Sequence, residues 1–451
     1  VRRLHRLVIA TVLGGSFATT LSPSHLTPAA DAATLPTPPD STLTAKFDVE
    51  GIPVILRRNA ANEVVVANLY LLGGARQLTP QTAGIEALLL EASERGTRKF
   101  RGSAVRQRTS RLGSTISIEA NDDWTMIGLK SIRTTFDSTW AILADRVMAP
   151  TLDPAEVALV RDQFIAAARQ RNNTPDDAAT LLADSLLYQN HPYALQTTGT
   201  PASLTAITLA QLRDYQASQS VTSRMLLVVV GNVDRPHIER LVRTTLGTLP
   251  RGTYRWTPPP PISPAPRTTV FDNRALPTNY LLGYAPGPAA TSPDYTALRV
   301  ATAVLSGRLF TEVRSRRNLS YAVESPFLER AHAVGGLYVT TVDPNAVLHI
   351  MRSELTALQE EQVEAAGLKR LEQQFITEYY LKNETNGDQA NVLARAELYQ
   401  GDYRAADRFM DELRQVTPAD VERVAKQYLT NFRFAYVGDT TKVDRALLSR
   451  F

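Results

Sequence analysis

Gly84-Ile85-Glu86-Ala87-Leu88-Leu89-Leu90-Glu91-Ala92-Ser93-Glu94-Arg95-Gly96-Thr97 is apolar-rich, of helical length and closed at both ends by glycine. The run Ile85 to Arg95 predicts a helix. Glu91 and Glu94, three apart, share a face of that helix, whereas Glu86 points elsewhere. Carboxylates so divided do not make a metal site, and they read as solvated helix charges.

Outward from this helix the chain alternates strand and helix signals. Val49 to Leu56 and Val64 to Leu72 are rich in Val, Ile and Leu and predict strands. Thr135 to Met148 carries apolar residues at three- and four-residue spacing, and Pro154 to Gln170 continues the period after Asp153, a suitable N-cap. The strand Met225 to Val230 ends in Gly231-Asn232, a turn signal. Thr257-Pro258-Pro259-Pro260-Pro261-Ile262-Ser263-Pro264-Ala265-Pro266 then holds an extended, semi-rigid form, because its prolines can neither continue a helix nor donate to a sheet.

The two sides of this linker read as copies. Strand Asn68 to Leu72 leads to helix Gly84 to Arg95, as strand Tyr280 to Gly283 leads to helix Tyr295 to Leu305. Ile207-Thr208-Leu209-Ala210-Gln211-Leu212 precedes Leu227 to Asn232, as Val416-Thr417-Pro418-Ala419-Asp420-Val421 precedes Phe434 to Asp439; each is a capped helix followed by a strand closing on a Gly-polar turn. The expected fold is α+β, with two homologous α/β-sandwich domains, each a mixed sheet flanked by helices. Their expected bounds are 41–256 and 268–451, joined by a Pro-rich linker at 257–267.

Composition narrows the class. The 451 residues exceed one hydrophobic core, and 43% hydrophobic with 21% charged residues is ordinary for a globular protein. The 49 basic and 45 acidic residues are spread along the chain, with no basic block interleaved with aromatics, which argues against nucleic acid as a partner. Cysteine is absent, so disulfides, thiolate metal sites and a cysteine nucleophile are excluded. Arg2, Arg3, His5 and Arg6, the apolar run Leu7 to Leu13 and the small-x-small site Ala30-Asp31-Ala32 read as a secretory signal over 1–32, which would leave no membrane attachment once removed; an uncleaved anchor is the alternative. The apolar run is short for a membrane span of about 20 residues. His5 and His25 fall in this leader, and His191, His237, His332 and His349 are scattered, none spaced to share a helix face as ligands.

The segment from Gly84 to Thr97 resembles the surroundings of the inverted zinc motif H-x-x-E-H of the pitrilysin/insulinase metallopeptidases, in which Gly opens the helix and Gly-Thr closes it. The resemblance puts the first His on Ala87, the Glu base on Leu90 and the second His on Glu91. It puts the third ligand, a downstream Glu, on Ala167 within Val160-Arg161-Asp162-Gln163-Phe164-Ile165-Ala166-Ala167. Ala, Leu and Glu do not supply two imidazoles and a base, and no Glu stands between Val157 and Arg171. The resemblance implies a peptidase body with no metal in this chain.

Ser306-Gly307-Arg308-Leu309-Phe310-Thr311-Glu312-Val313-Arg314-Ser315-Arg316-Arg317-Asn318-Leu319-Ser320-Tyr321-Ala322-Val323 is similar to the C-domain segment of the same family, where an Arg and a Tyr seven residues on face the zinc across a closed chamber. The matching Arg314 and Tyr321 are thereby implied to bind substrate, the hydroxyl donating to a carbonyl oxygen as it becomes an oxyanion and the guanidinium holding peptide carbonyls. On the bare residues the stretch also reads as an Arg-rich helix end entering a strand, and Arg316 and Arg317 keep that assignment. Gly335-Gly336-Leu337-Tyr338-Val339-Thr340 resembles the strand that comes next in the family; Gly335 and Gly336 are a candidate substrate strand, or a turn or bulge.

The resemblance implies a non-catalytic subunit of a heteromeric zinc metallopeptidase, processing-peptidase-like. Arg314 and Tyr321 would act in trans on unfolded peptides beside a homologous partner that carries H-x-x-E-H and the zinc. The leader points to a bacterial periplasm. The competing class is a catalytically inert peptidase-fold protein for binding or assembly. A zinc-free hydrolase finds no support, since Ser306 and Ser320 have no His nearby in sequence.

Overall fold

Val49 to Leu56, expected as one strand, turns back on itself: Glu50 (φ 54°) and Gly51 (φ 81°) make a two-residue turn between β1 (Thr44–Val49) and β2 (Ile52–Arg58). Two successive left-handed residues match the twist of a tight hairpin, and the alternation of apolar residues runs on across the turn and hides it. The computed structural model describes residues 43–263 and 266–451; the 1–32 signal reading and Pro264-Ala265 of the linker lie outside the described residues. Among the described residues no helix is long and apolar enough to cross a membrane.

The first half adds β3 (Val64–Leu72), α1 (Ile85–Ala92), α2 (Ala104–Arg111), β4 (Thr115–Ala120), β5 (Trp124–Ile132), α3 (Phe136–Met148), α4 (Pro154–Gln170), α5 (Pro175–Leu187), α6 (Pro201–Ala206), α7 (Leu209–Gln219), β6 (Met225–Gly231) and α8 (Arg235–Arg243). The second half adds β7 (Thr268–Asn273), β8 (Asn279–Ala289), α9 (Asp294–Leu309), β9 (Val323–Glu324), β10 (Phe327–Leu328), β11 (His332–Thr341), α10 (Pro344–Glu360), α11 (Ala365–Lys382), α12 (Asn386–Gln400), α13 (Ala405–Gln415), α14 (Pro418–Tyr428), β12 (Arg433–Gly438) and α15 (Arg445–Leu448).

The duplication is explicit in the sheets. The first runs β1-β2-β6-β3-β5-β4 and the second β10-β11-β8-β12-β7, with β9 also on β11. β2 lies parallel to β6, and β12 parallel to β7; β6 and β12 then pair antiparallel with β3 and β8, which pair antiparallel with β5 and β11. As expected, α7 and α14 are capped by Thr208 and Thr417 through reciprocal capping boxes before the final strand of each half.

Each sheet buries one face beneath its own helices. Trp140, Leu143, Ile238 and Val242 of α3 and α8 pack on Val54, Leu69, Ile127 and Leu227. Leu298, Leu305, Leu348 and Val421 of α9, α10 and α14 pack on Leu281, Leu337 and Phe434. The other faces are covered by exchange. Ala178, Ala179 and Ala183 bring α5 of the first half close to Leu282, Ala435 and Val437 of the second sheet, while Ala390, Leu393 and Ala394 of α12 lie on Val66, Tyr70 and Val228 of the first.

The exchanged helices are themselves repeats. Thr174 caps α5 by accepting from Asp177 N–H (3.1 Å), as Thr385 caps α12 from Asp388 N–H (3.2 Å). The first ends Leu187-Tyr188-Gln189 before left-handed Asn190 (φ 62°), and the second Leu398-Tyr399-Gln400 before Gly401 (φ 74°).

Charges close the seam. Asp123 accepts from the hydroxyls of Tyr193 (2.6 Å) and Tyr399 (2.7 Å), and Arg330 pairs with Asp122 at 2.7 Å. Nearby, Asp184 Oδ1 is shielded from solvent without a hydrogen-bond partner. Burial lifts the Asp184 carboxyl to about 6, against the pull of Arg330. The linker is pinned through its carbonyls: Arg76 Nη1 donates to Thr257 O (2.6 Å), His191 Nε2 to Pro260 O (3.0 Å) and Arg433 Nη2 to Ser263 O (2.9 Å).

Because each half completes the other's core, Leu393→Ala should cost about 2–5 kcal/mol and lower one shared urea transition in place of splitting it. A separate, earlier transition of the first sheet would contradict this. The folded protein holds the Asp184 proton more tightly than the unfolded chain, so its contribution to stability is lost as pH rises from the ordinary 3.8 through about 6. Asp184→Asn should therefore raise the melting midpoint at about pH 7.5, with the gain fading toward about pH 4, in melts recorded across that range.

Candidate functional site

α1 opens at Gly84, left-handed at φ 92°, where a Cβ would stand 2.7 Å from the Gly199 Cα; the glycine is required by the approach of another backbone. The helix ends at Ala92 and tightens into a 3-10 turn, Ser93–Arg95. Ile85, Leu88, Leu89 and Ala92 pack against Val157 and Val160 of α4 and Leu212 of α7, while Leu90 enters the core under the first sheet. Among the residues of α1, only Glu91 is not buried.

Glu86 departs from the solvated charge expected of it. It is 5% exposed, pairs with Arg224 Nη2 at 2.9 Å and accepts from the Tyr215 hydroxyl at 3.0 Å. Arg224, equally hidden, donates its Nε to Leu72 O at 2.9 Å, tying α1 to the end of β3. Burial, reinforced by the Glu86 carboxylate, pushes the Tyr215 hydroxyl well up.

Ala87 and Leu90 are each 3% exposed aliphatic side chains. Glu91 is half-buried, its carboxyl raised by burial first and by Glu94 second, with Arg146 opposing. Arg146 lies beneath the last turn of α1, where Nε donates to Ser93 Oγ (3.0 Å) and Nη2 to Leu90 O (3.1 Å). That guanidinium satisfies a terminal helix carbonyl and puts a fixed positive charge where a second cation would be repelled. Ala167 is exposed on α4. These residues do not fit a zinc ion: one carboxylate stands where two imidazoles, a base and a third ligand would be needed. Among the described residues no three His, Asp or Glu side chains gather to hold a metal.

In the second half α9 runs into a π-helical segment, Phe310–Ser315. Asn318, left-handed at φ 52°, reverses the chain, with its N–H on Arg314 O (3.0 Å) and that of Leu319 on Val313 O (2.9 Å). The reversal stacks three side chains: the Arg314 guanidinium lies 5.2 Å from the Phe310 ring centroid and 4.8 Å from that of Tyr321. Tyr321 is 68% exposed. Arg316 and Arg317 both close on Glu312, whereas Arg314 has no carboxylate partner among the described residues.

Gly335 and Gly336 lie inside β11, and the edge there is taken. Gly335 faces Ala285 on one side and Phe327 on the other, and Gly336 donates its N–H to Pro326 O at 2.8 Å. A Cβ on Gly335 would stand 2.6 Å from Leu429 Cδ2, and one on Gly336 2.6 Å from Pro326 Cγ. The pair serves the chain's own packing, and a substrate strand cannot add at these two residues. β4, at one end of the first sheet, is an edge strand that pairs only with β5 among the described residues. His191 takes a structural role, with Nδ1 accepting from Tyr193 N–H at 3.2 Å.

Residues 53–201 match the family described as Insulinase (Peptidase family M16), and residues 206–375 match Peptidase M16 inactive domain. An uncharacterized zinc protease of Mycobacterium leprae is 29% identical over 304 residues, covering 64% of this chain and 67% of its own. Mitochondrial-processing peptidase subunit beta of Blastocladiella emersonii is 22% identical over 257 residues, 56% of this chain and 55% of that one. The crystal structure of a peptidase M16 inactive domain from Pseudomonas fluorescens shares the fold, with a TM-score of 0.81 at 20% identity over 88% of this chain and 98% of that one.

Removing one partner of the Glu86–Arg224 pair leaves a buried charge, so Arg224→Met should cost about 3–5 kcal/mol. The double exchange Glu86→Gln with Arg224→Met should recover much of the loss in urea unfolding. Equal losses in the single and double variants would mean that packing, not charge, holds this position.

Proposed function

This chain belongs to the insulinase (peptidase M16) family, and we propose that it is the zinc-free subunit of a two-chain zinc peptidase. The observation that carries the reading is a contrast between its halves. The helix that matches the family's zinc helix is sealed by Ala87, Leu90 and the buried Glu86–Arg224 pair, while half-buried Arg314 is held against Tyr321, which is exposed.

The chemistry divides accordingly. At Ala87, Leu90, Glu91 and Ala167 this chain offers one carboxylate and no imidazole, which cannot hold a zinc ion and activate its water, so bond cleavage is assigned to a homologous partner that carries H-x-x-E-H and the zinc. Arg314 grips carbonyl oxygens of an unfolded peptide through the fixed donors of its planar guanidinium. The Tyr321 hydroxyl donates to the scissile carbonyl oxygen as negative charge grows on it. Stacking on Phe310 and Tyr321 fixes the guanidinium plane before substrate arrives, so less ordering remains to be done on binding. Likeness to a subunit of the mitochondrial processing peptidase supports a paired assembly, and the leader supports a periplasmic site.

The test is peptidase activity with metal analysis, on this chain alone and mixed with an H-x-x-E-H homologue from the same organism. Silence alone and activity on mixing are expected. Tyr321→Phe should lower the activity of the pair by about 100-fold and Arg314→Ala by a similar factor, with unchanged co-elution in gel filtration. Full activity in both variants would overturn the trans role. Inactivity of every mixture, with the chains still associated, would favour an inert assembly protein.

A further inference from the structure

Arg98-Lys99-Phe100-Arg101-Gly102-Ser103-Ala104-Val105-Arg106-Gln107-Arg108-Thr109-Ser110-Arg111 holds six basic residues and no acidic one. Its charge exceeds the net +4 of the whole chain, so the remainder is net acidic. The fold fixes this run as one surface. Arg98 N–H donates to Ala149 O and Lys99 N–H to Asp145 Oδ2, both at 2.9 Å, and Phe100 N–H returns to Thr97 Oγ1 at 3.1 Å. Left-handed Gly102 (φ 54°) then turns the chain into α2, and the Arg108 guanidinium settles 5.2 Å from the Phe100 ring centroid, joining turn and helix.

Arg98, Lys99, Arg101, Arg108 and Arg111 are exposed, and none of the six basic side chains forms an ion pair among the described residues. Arg106 is half-buried, with Nη1 shielded from solvent and without a hydrogen-bond partner. Several exposed basic residues elsewhere do have a carboxylate, as Arg133 has Glu63, Arg408 has Asp402 and Arg423 has Asp294. Arg108 and Arg111, three apart on one helix, repel each other. A surface of mutually repelling cations with an unsatisfied guanidinium lacks its counter-charge.

We propose that this surface binds an extended, acid-rich polypeptide segment. Five of the six cations are arginine, whose planar fork matches a carboxylate in two parallel hydrogen bonds. The nearby apolar groups argue against other polyanions. Val105 is 1% exposed and Phe100 is half-buried under Arg108, so nothing projects to enter a lipid layer and no free aromatic face is left for a base to stack on. Beyond Gly113, α2 leads directly into β4, whose open edge offers unpaired backbone groups to an extended chain.

The full chain, mixed with a fluorescein-labelled, flexible Glu-Gly-Ser peptide of about 15 residues, tests this by fluorescence anisotropy beside the same peptide with Gln for every Glu. At about 50 mM NaCl the Glu peptide should bind at least about tenfold tighter, and its affinity should fall steeply toward about 300 mM. The triple variant Arg101→Gln, Arg108→Gln, Arg111→Gln should lose this preference with its melting midpoint unchanged, whereas Arg408→Gln should keep it. Equal affinity for the Glu and Gln peptides on the unaltered chain would overturn the proposal. So would tighter binding to phosphatidylglycerol-containing vesicles or to duplex DNA than to the Glu peptide.

Discussion

Everything in this structure depends on the exchange of α5 and α12 between the two sheets. A sheet with both faces apolar must be covered twice, and each half supplies cover for only one face of its own. α5 and α12 meet that need reciprocally: small residues, Ala178, Ala179 and Ala183 in one and Ala390 and Ala394 in the other, let each helix lie close to the opposite strands. The polar atoms at the same seam add registration. Asp123 gathers one tyrosine hydroxyl from each half, and Arg330 reaches across to Asp122. Groups of this kind contribute little net stability, but a misplaced partner would strand a buried charge, so the halves are held to one arrangement.

The helix at Gly84–Thr97 shows how a site can lose its chemistry and keep its place. α1 is wedged between the first sheet and the α4–α7 layer, and its contacts reach from Ile85 to Ala92. At its first turn Glu86 pairs with Arg224, and at its last the Leu90 carbonyl accepts from Arg146 of α3; neither interaction involves the side chains at the positions that match ligands. Packing therefore sustains the helix whatever stands at Ala87, Leu90 and Glu91.

How much of the fold is legible in the sequence depends on the range of the interaction. Helix starts and stops are legible because their causes are local: Asp153 accepts from the N–H of Ala155 two residues on, and Thr208 and Thr417 box with residues three on. The duplication is legible because the strand-helix order repeats, although the clearest repeat, Thr-x-x-Asp to Leu-Tyr-Gln in α5 and α12, only acquires meaning once the exchange is seen. The fate of Glu86 is not legible, since its partner Arg224 is far along the chain and a lone glutamate on a helix is ordinarily solvated. The hairpin at Glu50-Gly51 escapes for a different reason. Strand pattern carries on through a two-residue turn, and a single Gly after Glu is a weak turn signal. The Arg98–Arg111 cluster is diluted by averaging: 49 basic residues against 45 acidic ones look evenly mixed until a short window is read alone.

The two halves answer the same topological position in opposite ways. β3 leads to α1 and β8 to α9, so the two helices are equivalents under the duplication. In the first half the helix is eight residues long and closes at once into a 3-10 turn, and the Glu86 carboxylate faces inward. In the second it is sixteen residues long and widens into the π-helical segment before Asn318, which throws Tyr321 clear of the protein and back beside Arg314. A π turn adds a residue to each loop of the helix and rotates the chain beyond it, so a regular helix end becomes a projecting pair. One fold repeated twice thus yields a sealed helix in the first half and, in the second, a helix end that presents the Tyr321 hydroxyl beside the Arg314 guanidinium.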